Sequence, residues 1–168
     1  MTPEQIALVQ STFEKVEPIA DTAAELFYGR LFEIAPEVKP MFKADMKDQG
    51  AKLMRMIGIA VRGLNDLNSI VPAVQKLGKN HVAYGVKEAH FQPVAEALLW
   101  TLEQGLGDAW NDDVKAAWTE TYVVLSTTMI NAMKEVEGFE ESAPVKPTVD
   151  TAPVGFWGKL KNFFVPAT

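Results

Sequence analysis

The chain of 168 residues contains no cysteine. That absence excludes disulfides, thiolate nucleophiles, iron–sulfur clusters, thiolate zinc sites and covalently attached c-type haem. Histidine is scarce: only His81 and His90 are present, too few for a three-histidine zinc site. No run reaches the ~18 uninterrupted apolar residues of a membrane-spanning helix. The N-terminus, Met1-Thr2-Pro3-Glu4-Gln5, has neither a basic start nor an apolar stretch and does not read as a secretory signal. A cytoplasmic location is expected. No alternating apolar–polar run asks for a strand. Basic residues number 16 against 22 acidic ones, a net charge of −6. That balance argues against nucleic acid or an anionic membrane as a partner drawn in over long range.

What is present is helical periodicity over residues 1–137. Thr2, Pro3 and Gln5 form a helix-start signature, a capping box with proline in the first turn. Ile6, Val9, Phe13 and Val16 then recur at helical spacing. Pro18 interrupts. A second helix carries Ala24, Phe27, Tyr28, Leu31 and Phe32, and Pro36 and Pro40 bracket a short turn ending in Met41-Phe42. A third helix is expected to start near Asp48 or Gln49, with Leu53, Met56, Ile57, Ala60, Val61 and Leu64 on its buried face. Residues 65–69 read as a loop, with Pro72 in the first turn of the next helix. Val71, Val74, Leu77 and His81 share a face of that helix, which closes at Tyr84-Gly85. A helix over about 92–104 follows, ended by Gly105 and Gly107. Asn111 or Asp112 caps a last long helix that turns Val114, Ala117, Trp118, Leu125, Met129 and Met133 inward.

Composition changes after Glu137. Residues 138–154, with three prolines and mixed charges, read as a linker. Residues 155–168 read as a short amphipathic segment. Phe156, Trp157, Leu160, Phe163 and Phe164 share one face of it, opposite Lys159, Lys161 and Asn162. Such a segment suits packing on its own domain, a protein partner or homo-oligomer, or a membrane surface.

His81 is the sharpest chemical feature. Periodicity turns it toward the core, where an imidazole needs a partner or costs a few kcal/mol to desolvate. Two partners fit: an ordinary core hydrogen bond, or a metal on one ring nitrogen while the other donates to a carbonyl one turn back, near Leu77.

The segments LFYGRLFEIAPEVKPMF (26–42), QGAKLMRMIGIAVRGL (49–64), LGKNHVAYGV (77–86) and HFQPVAEALL (90–99) resemble those of globins. The likeness is closest to bacterial single-domain globins and the globin domain of flavohaemoglobins. It covers about residues 1–137 and rests on joint agreement of helix order, loop lengths and key positions. It implies an all-α globin fold, a three-over-three helical sandwich around haem b, with a C-terminal extension.

By the same resemblance His81 is the proximal iron ligand. Phe42 is the phenylalanine that wedges against the haem, and Leu77 lies beneath it. Tyr28 and Gln49 are distal donors to the gas ligand, Gln49 lying 32 residues before His81, and Leu53 packs over the ligand site. Tyr84 and Lys52 approach the propionates. His90 is a surface or capping residue, and Met54 and Met56 are core filler rather than thioether ligands. The chain departs from flavohaemoglobins where a tyrosine and a glutamate back the proximal histidine. Those places hold Phe91 and Met133, neither a strong acceptor, which implies a quieter proximal side.

Reversible O2 binding for storage, delivery or scavenging is the function this implies. NO dioxygenation is the enzymatic alternative. The residues after 137 are too few for a flavin reductase domain, so a separate reductase would supply the electrons. Gas sensing through the C-terminal segment ranks third. O2, NO and CO are the expected small ligands, and the oligomeric state is left open.

Overall fold

The computed structural model describes residues 1–42 and 45–136. The linker and the amphipathic segment expected at 138–168 lie outside them. The described residues form six α-helices joined by short 3-10 turns, with no strand.

Helix α1, Pro3–Val16, starts with the capping box expected from its sequence. The Gln5 amide N–H donates to Thr2 Oγ1 at 3.1 Å, and the Thr2 N–H donates to Gln5 Oε1 at 3.0 Å. Pro18 interrupts the helices as expected. It sits in a 3-10 turn, Glu17–Ile19, that feeds directly into α2, Ala20–Ile34.

Helix α3, Met46–Arg62, begins earlier than the sequence suggests. The cap is Asp45, whose carboxylate accepts from the N–H groups of Lys47 and Asp48 at 2.7 and 3.3 Å. It thereby satisfies two amides that no helical carbonyl can reach. Helix α4, Leu67–Ala83, also begins early, so the expected loop at 65–69 shrinks and Pro72 falls inside the helix. Its first turn is tightened: Ser69 N–H and Oγ both donate to the Asp66 carbonyl, at 3.1 and 2.7 Å.

Helix α5 runs Phe91–Leu106. Gly105 stays helical. Gly107 ends the helix, with a φ of +52° that side-chain-bearing residues rarely adopt. Helix α6, Asp112–Lys134, is capped by Asn111, whose side chain accepts from the Val114 N–H at 2.9 Å. Its buried stripe includes Ile130, while Leu125 is only half-buried.

The main packed pairs are α4 with α6, α2 with α5, α1 with α6, and α2 with α3. One core cluster joins α1, α3, α5 and α6 through Val9, Phe13, Val61, Leu99, Leu102 and Trp118. Within it the Trp118 indole N–H donates to Thr12 Oγ1 at 2.9 Å, which in turn donates to the Leu8 carbonyl at 2.6 Å. The largest aromatic of the core therefore has its one polar atom satisfied.

Helices α3 and α4 are consecutive in the chain, yet they make no substantial contact with one another. Each is held by other partners, α3 on α2 and α1, α4 on α6. The α4–α6 approach is close: a β-carbon on Gly78 would stand 2.5 Å from the Met129 carbonyl oxygen. Only glycine allows these backbones to lie so near.

Candidate functional site

Two groups of the sequence-selected residues flank the separation between α3 and α4. The first gathers around Tyr28, which is 6% exposed on α2. Its ring meets Phe42 edge-on with centroids 5.2 Å apart, and Phe27 at 5.0 Å. Phe32 stacks beside it at 5.9 Å. Leu53 from α3 and Val94 and Leu98 from α5 pack on the same cluster. Burial pushes the Tyr28 phenol above its ordinary value, and a hydrogen bond with the Gln49 side chain pulls it partly back. The phenol therefore stays protonated at neutral pH and can donate its hydrogen.

The second group is on α4. His81 Nδ1 lies 2.6 Å from the Leu77 carbonyl oxygen, one turn back. That carbonyl can only accept, so Nδ1 carries the hydrogen and Nε2 presents a lone pair. Among the described residues Nε2 has no hydrogen-bond partner. Burial holds the imidazole pKa below its ordinary value, and the Leu77 bond offsets this in part. The ring is therefore neutral near pH 7. Tyr84 stands edge-on to it at 5.9 Å and is 61% exposed. Phe91, Met133, Val82, Val86 and Tyr122 form the apolar cluster beside this group.

Helix α5 links the two groups. Phe91 belongs to the α4 side, Val94 and Leu98 to the Tyr28 side. Spacings of three and four residues put all three on one face of the helix. The remaining candidates are peripheral: Lys52 is exposed on α3, and His90 Nδ1 accepts from the Lys87 N–H at 3.0 Å as a turn cap.

A family model described as Globin matches residues 25–129. The chain belongs to the globin family. A flavohaemoprotein of Bacillus subtilis (strain 168) is 28% identical to this globin over 95% of its chain, which spans 38% of that relative's length. An anaerobic nitrite reductase of Arabidopsis thaliana is 30% identical, covering 81% of this globin and 96% of the relative. The solved structure of a bacterial globin from Campylobacter jejuni superposes with a TM-score of 0.70 at 27% identity, over 79% of this chain and 96% of that one. The cofactor of this globin is haem, and its ligands are small gases.

The residues present fit that cofactor. Two helices that do not pack together leave Leu53, Met56, Leu77 and Val82 half-buried. Such side chains suit the faces of a flat apolar macrocycle. The neutral imidazole with one uncommitted lone pair suits an axial position. Sequence reasoning passed over Tyr122, which packs half-buried beside Phe91 and Met133. The signal was available: Tyr122 follows Trp118 by four residues and precedes Met129 by seven, on the inward stripe of α6.

Proposed function

We propose that this globin binds O2 reversibly for storage, delivery or scavenging, with haem b held by His81. Haem supplies the iron at which a diatomic ligand is bound and activated. The Leu77 carbonyl fixes the His81 tautomer and ring plane, so the Nε2 lone pair is offered in one direction. Phe42 sets the edge of the site and holds Tyr28 in place. Leu53 keeps water from the ligand. Tyr84 and Lys52, both at the surface, would meet the propionates.

The observation that carries this reading is the buried Tyr28 phenol, its ring held by Phe27, Phe32 and Phe42. A phenol fixed in this way is a preorganised donor. In a dry pocket its bond to a polarised ligand is worth ~1–3 kcal/mol and slows release accordingly. On the other side, His81 donates to a neutral carbonyl, and Phe91 and Met133 cannot add anionic character. That environment favours holding the ligand over breaking it.

A second reading, NO dioxygenation with electrons from a separate reductase, draws support from the flavohaemoprotein match over 95% of the chain. The same distal donors serve both. The deciding experiment measures O2 dissociation and O2-dependent NO consumption on one preparation supplied with a reductase. Slow dissociation with no sustained NO turnover is the expected result. Continued turnover limited by electron supply establishes the dioxygenase, and protein that cannot be reconstituted with hemin overturns both.

A further inference from the structure

A groove of about 380 Å³ opens where α5 meets the start of α6. Leu99, Trp100 and Glu103 line it from α5, and Trp110, Asn111 and Asp112 from the turn into α6. Glu96 and Lys115 complete the lining. Glu96, Trp100 and Glu103 are spaced four and three apart, so they share one face of α5. That face is turned away from the stripe of Phe91, Val94 and Leu98 that serves the pocket. Leu99 is buried, while Glu103 and Asp112 are exposed.

The fold leaves much of this lining unused. The carboxylates of Glu96, Glu103 and Asp112 make no ion pair among the described residues. Trp100 is half-buried, yet it belongs to none of the core clusters of the described residues. Its ring holds the Arg30 guanidinium 5.3 Å from the centroid, so a cation on an indole is a contact this surface makes. Trp110 rests on the main core cluster. An acidic groove walled by two indoles suits a segment that is both basic and aromatic.

We propose that this groove is the docking site of the chain's own residues 155–165. They lie outside the described residues, and three observations select them. Their charge is complementary: Lys159 and Lys161 bring +2 with no carboxylate, against a lining of −2 from three carboxylates and one ammonium. Their apolar face, with Phe156, Trp157, Leu160, Phe163 and Phe164, supplies rings for the two indoles. Their reach suffices. The way back along the 23 residues of α6 is ~35 Å, and residues 137–154 extend to ~60 Å. The covalent tether gives the segment an effective concentration on the order of mM, well above that of a second copy in dilute solution. Two lysines in a chain of −6 give an anionic bilayer little pull. The docking does not depend on how haem is held.

The absence of cysteine makes the full-length, haem-loaded protein a clean background for cross-linking. Gln104, exposed one turn beyond Trp100, is used in Gln104→Cys/Asn162→Cys, which leaves every charge in place. Gln75→Cys/Asn162→Cys, with Gln75 exposed on α4, is the control. Mild oxidation followed by non-reducing electrophoresis and mass spectrometry reads the disulfide. An intramolecular disulfide should form about tenfold faster in the first pair, at a rate independent of protein concentration. Glu96→Lys/Glu103→Lys in that background should slow it about fivefold, and adding Lys159→Glu/Lys161→Glu should restore it to within about twofold. In otherwise wild-type protein, Trp157→Ala/Phe163→Ala should shift the indole N–H resonances of Trp100 and Trp110 and leave that of Trp118, in the core, in place. Equal rates in the two cysteine pairs, no recovery on charge exchange, or unmoved Trp100 and Trp110 resonances overturn the proposal. A disulfide that forms only between copies, faster at higher protein concentration, gives the groove to a second molecule and overturns it as well. If equal rates come with retention by phosphatidylglycerol vesicles, the segment belongs on a membrane instead.

Discussion

Tyr122 donates its hydroxyl to the main-chain carbonyl of Phe91, 2.6 Å away, tying α6 to the first residue of α5. Tyr122 is half-buried, and desolvation of its hydroxyl drives the pKa well above the ordinary tyrosine range. It therefore stays a neutral donor. Replacing Tyr122 with Phe removes this tie between α6 and α5 while the Phe91 carbonyl keeps its helical partner, a loss of ~0.5–1.5 kcal/mol. A thermal midpoint several degrees lower is expected. O2 dissociation should change less than twofold, since the distal pair is untouched.

Removal of the His81 side chain tests the metal ligand. His81→Gly should lose most of its haem and regain a globin-like spectrum on addition of free imidazole. Normal haem content and spectrum in the variant without imidazole would exclude His81 as the ligand.

The Tyr28–Gln49 pair predicts non-additive kinetics. Tyr28→Phe should accelerate O2 dissociation about tenfold for each 1.4 kcal/mol of lost hydrogen bonding. Gln49→Leu should have a smaller effect, because the phenol remains. In the double variant the two effects should be less than additive, since the side chains are neighbours. Independent, additive effects in stopped-flow measurements would show that the two donors reach the ligand separately.

Gly78 gives a packing prediction. In Gly78→Ala the new methyl meets Met129 backbone at 2.5 Å, so α4 must move away from α6. Overpacking of this kind costs ~1–3 kcal/mol. Since Gly78 is three residues before His81, the Soret position should shift as well. By contrast, Lys79→Ala, which removes only the exposed pair with Glu135, should change the thermal midpoint little.

Deletion of residues 139–168 should leave folding and haem uptake intact, since the described helices close their core without that segment. Loss of haem on truncation, read from the Soret absorbance, would show that the segment completes the pocket.

Much of this was legible in the sequence because helix periodicity and caps are local signals. Thr2 and Gln5 announced α1, and Leu77 and His81 announced their hydrogen bond. The starts of α3 and α4 were less legible. Asp45 looks like a loop residue until its carboxylate is seen capping two amides, and Pro72 reads as a first-turn residue because nothing local says the helix has already begun. Gly105 and Gly107 are alike in sequence. Only the chain direction after α5 makes one of them adopt a positive φ. The partnership of Tyr122 with Phe91 spans 31 residues, and no local pattern encodes a contact at that range.

Helix α5 offers Phe91 to one half of the pocket and Val94 and Leu98 to the other, on a single rigid stripe. A rotation or slide that relaxes one half must disturb the second. Adjusting how firmly the gas is gripped without altering how the iron is supported therefore requires changes in α2 or α3, while substitutions along this middle helix will alter both properties together.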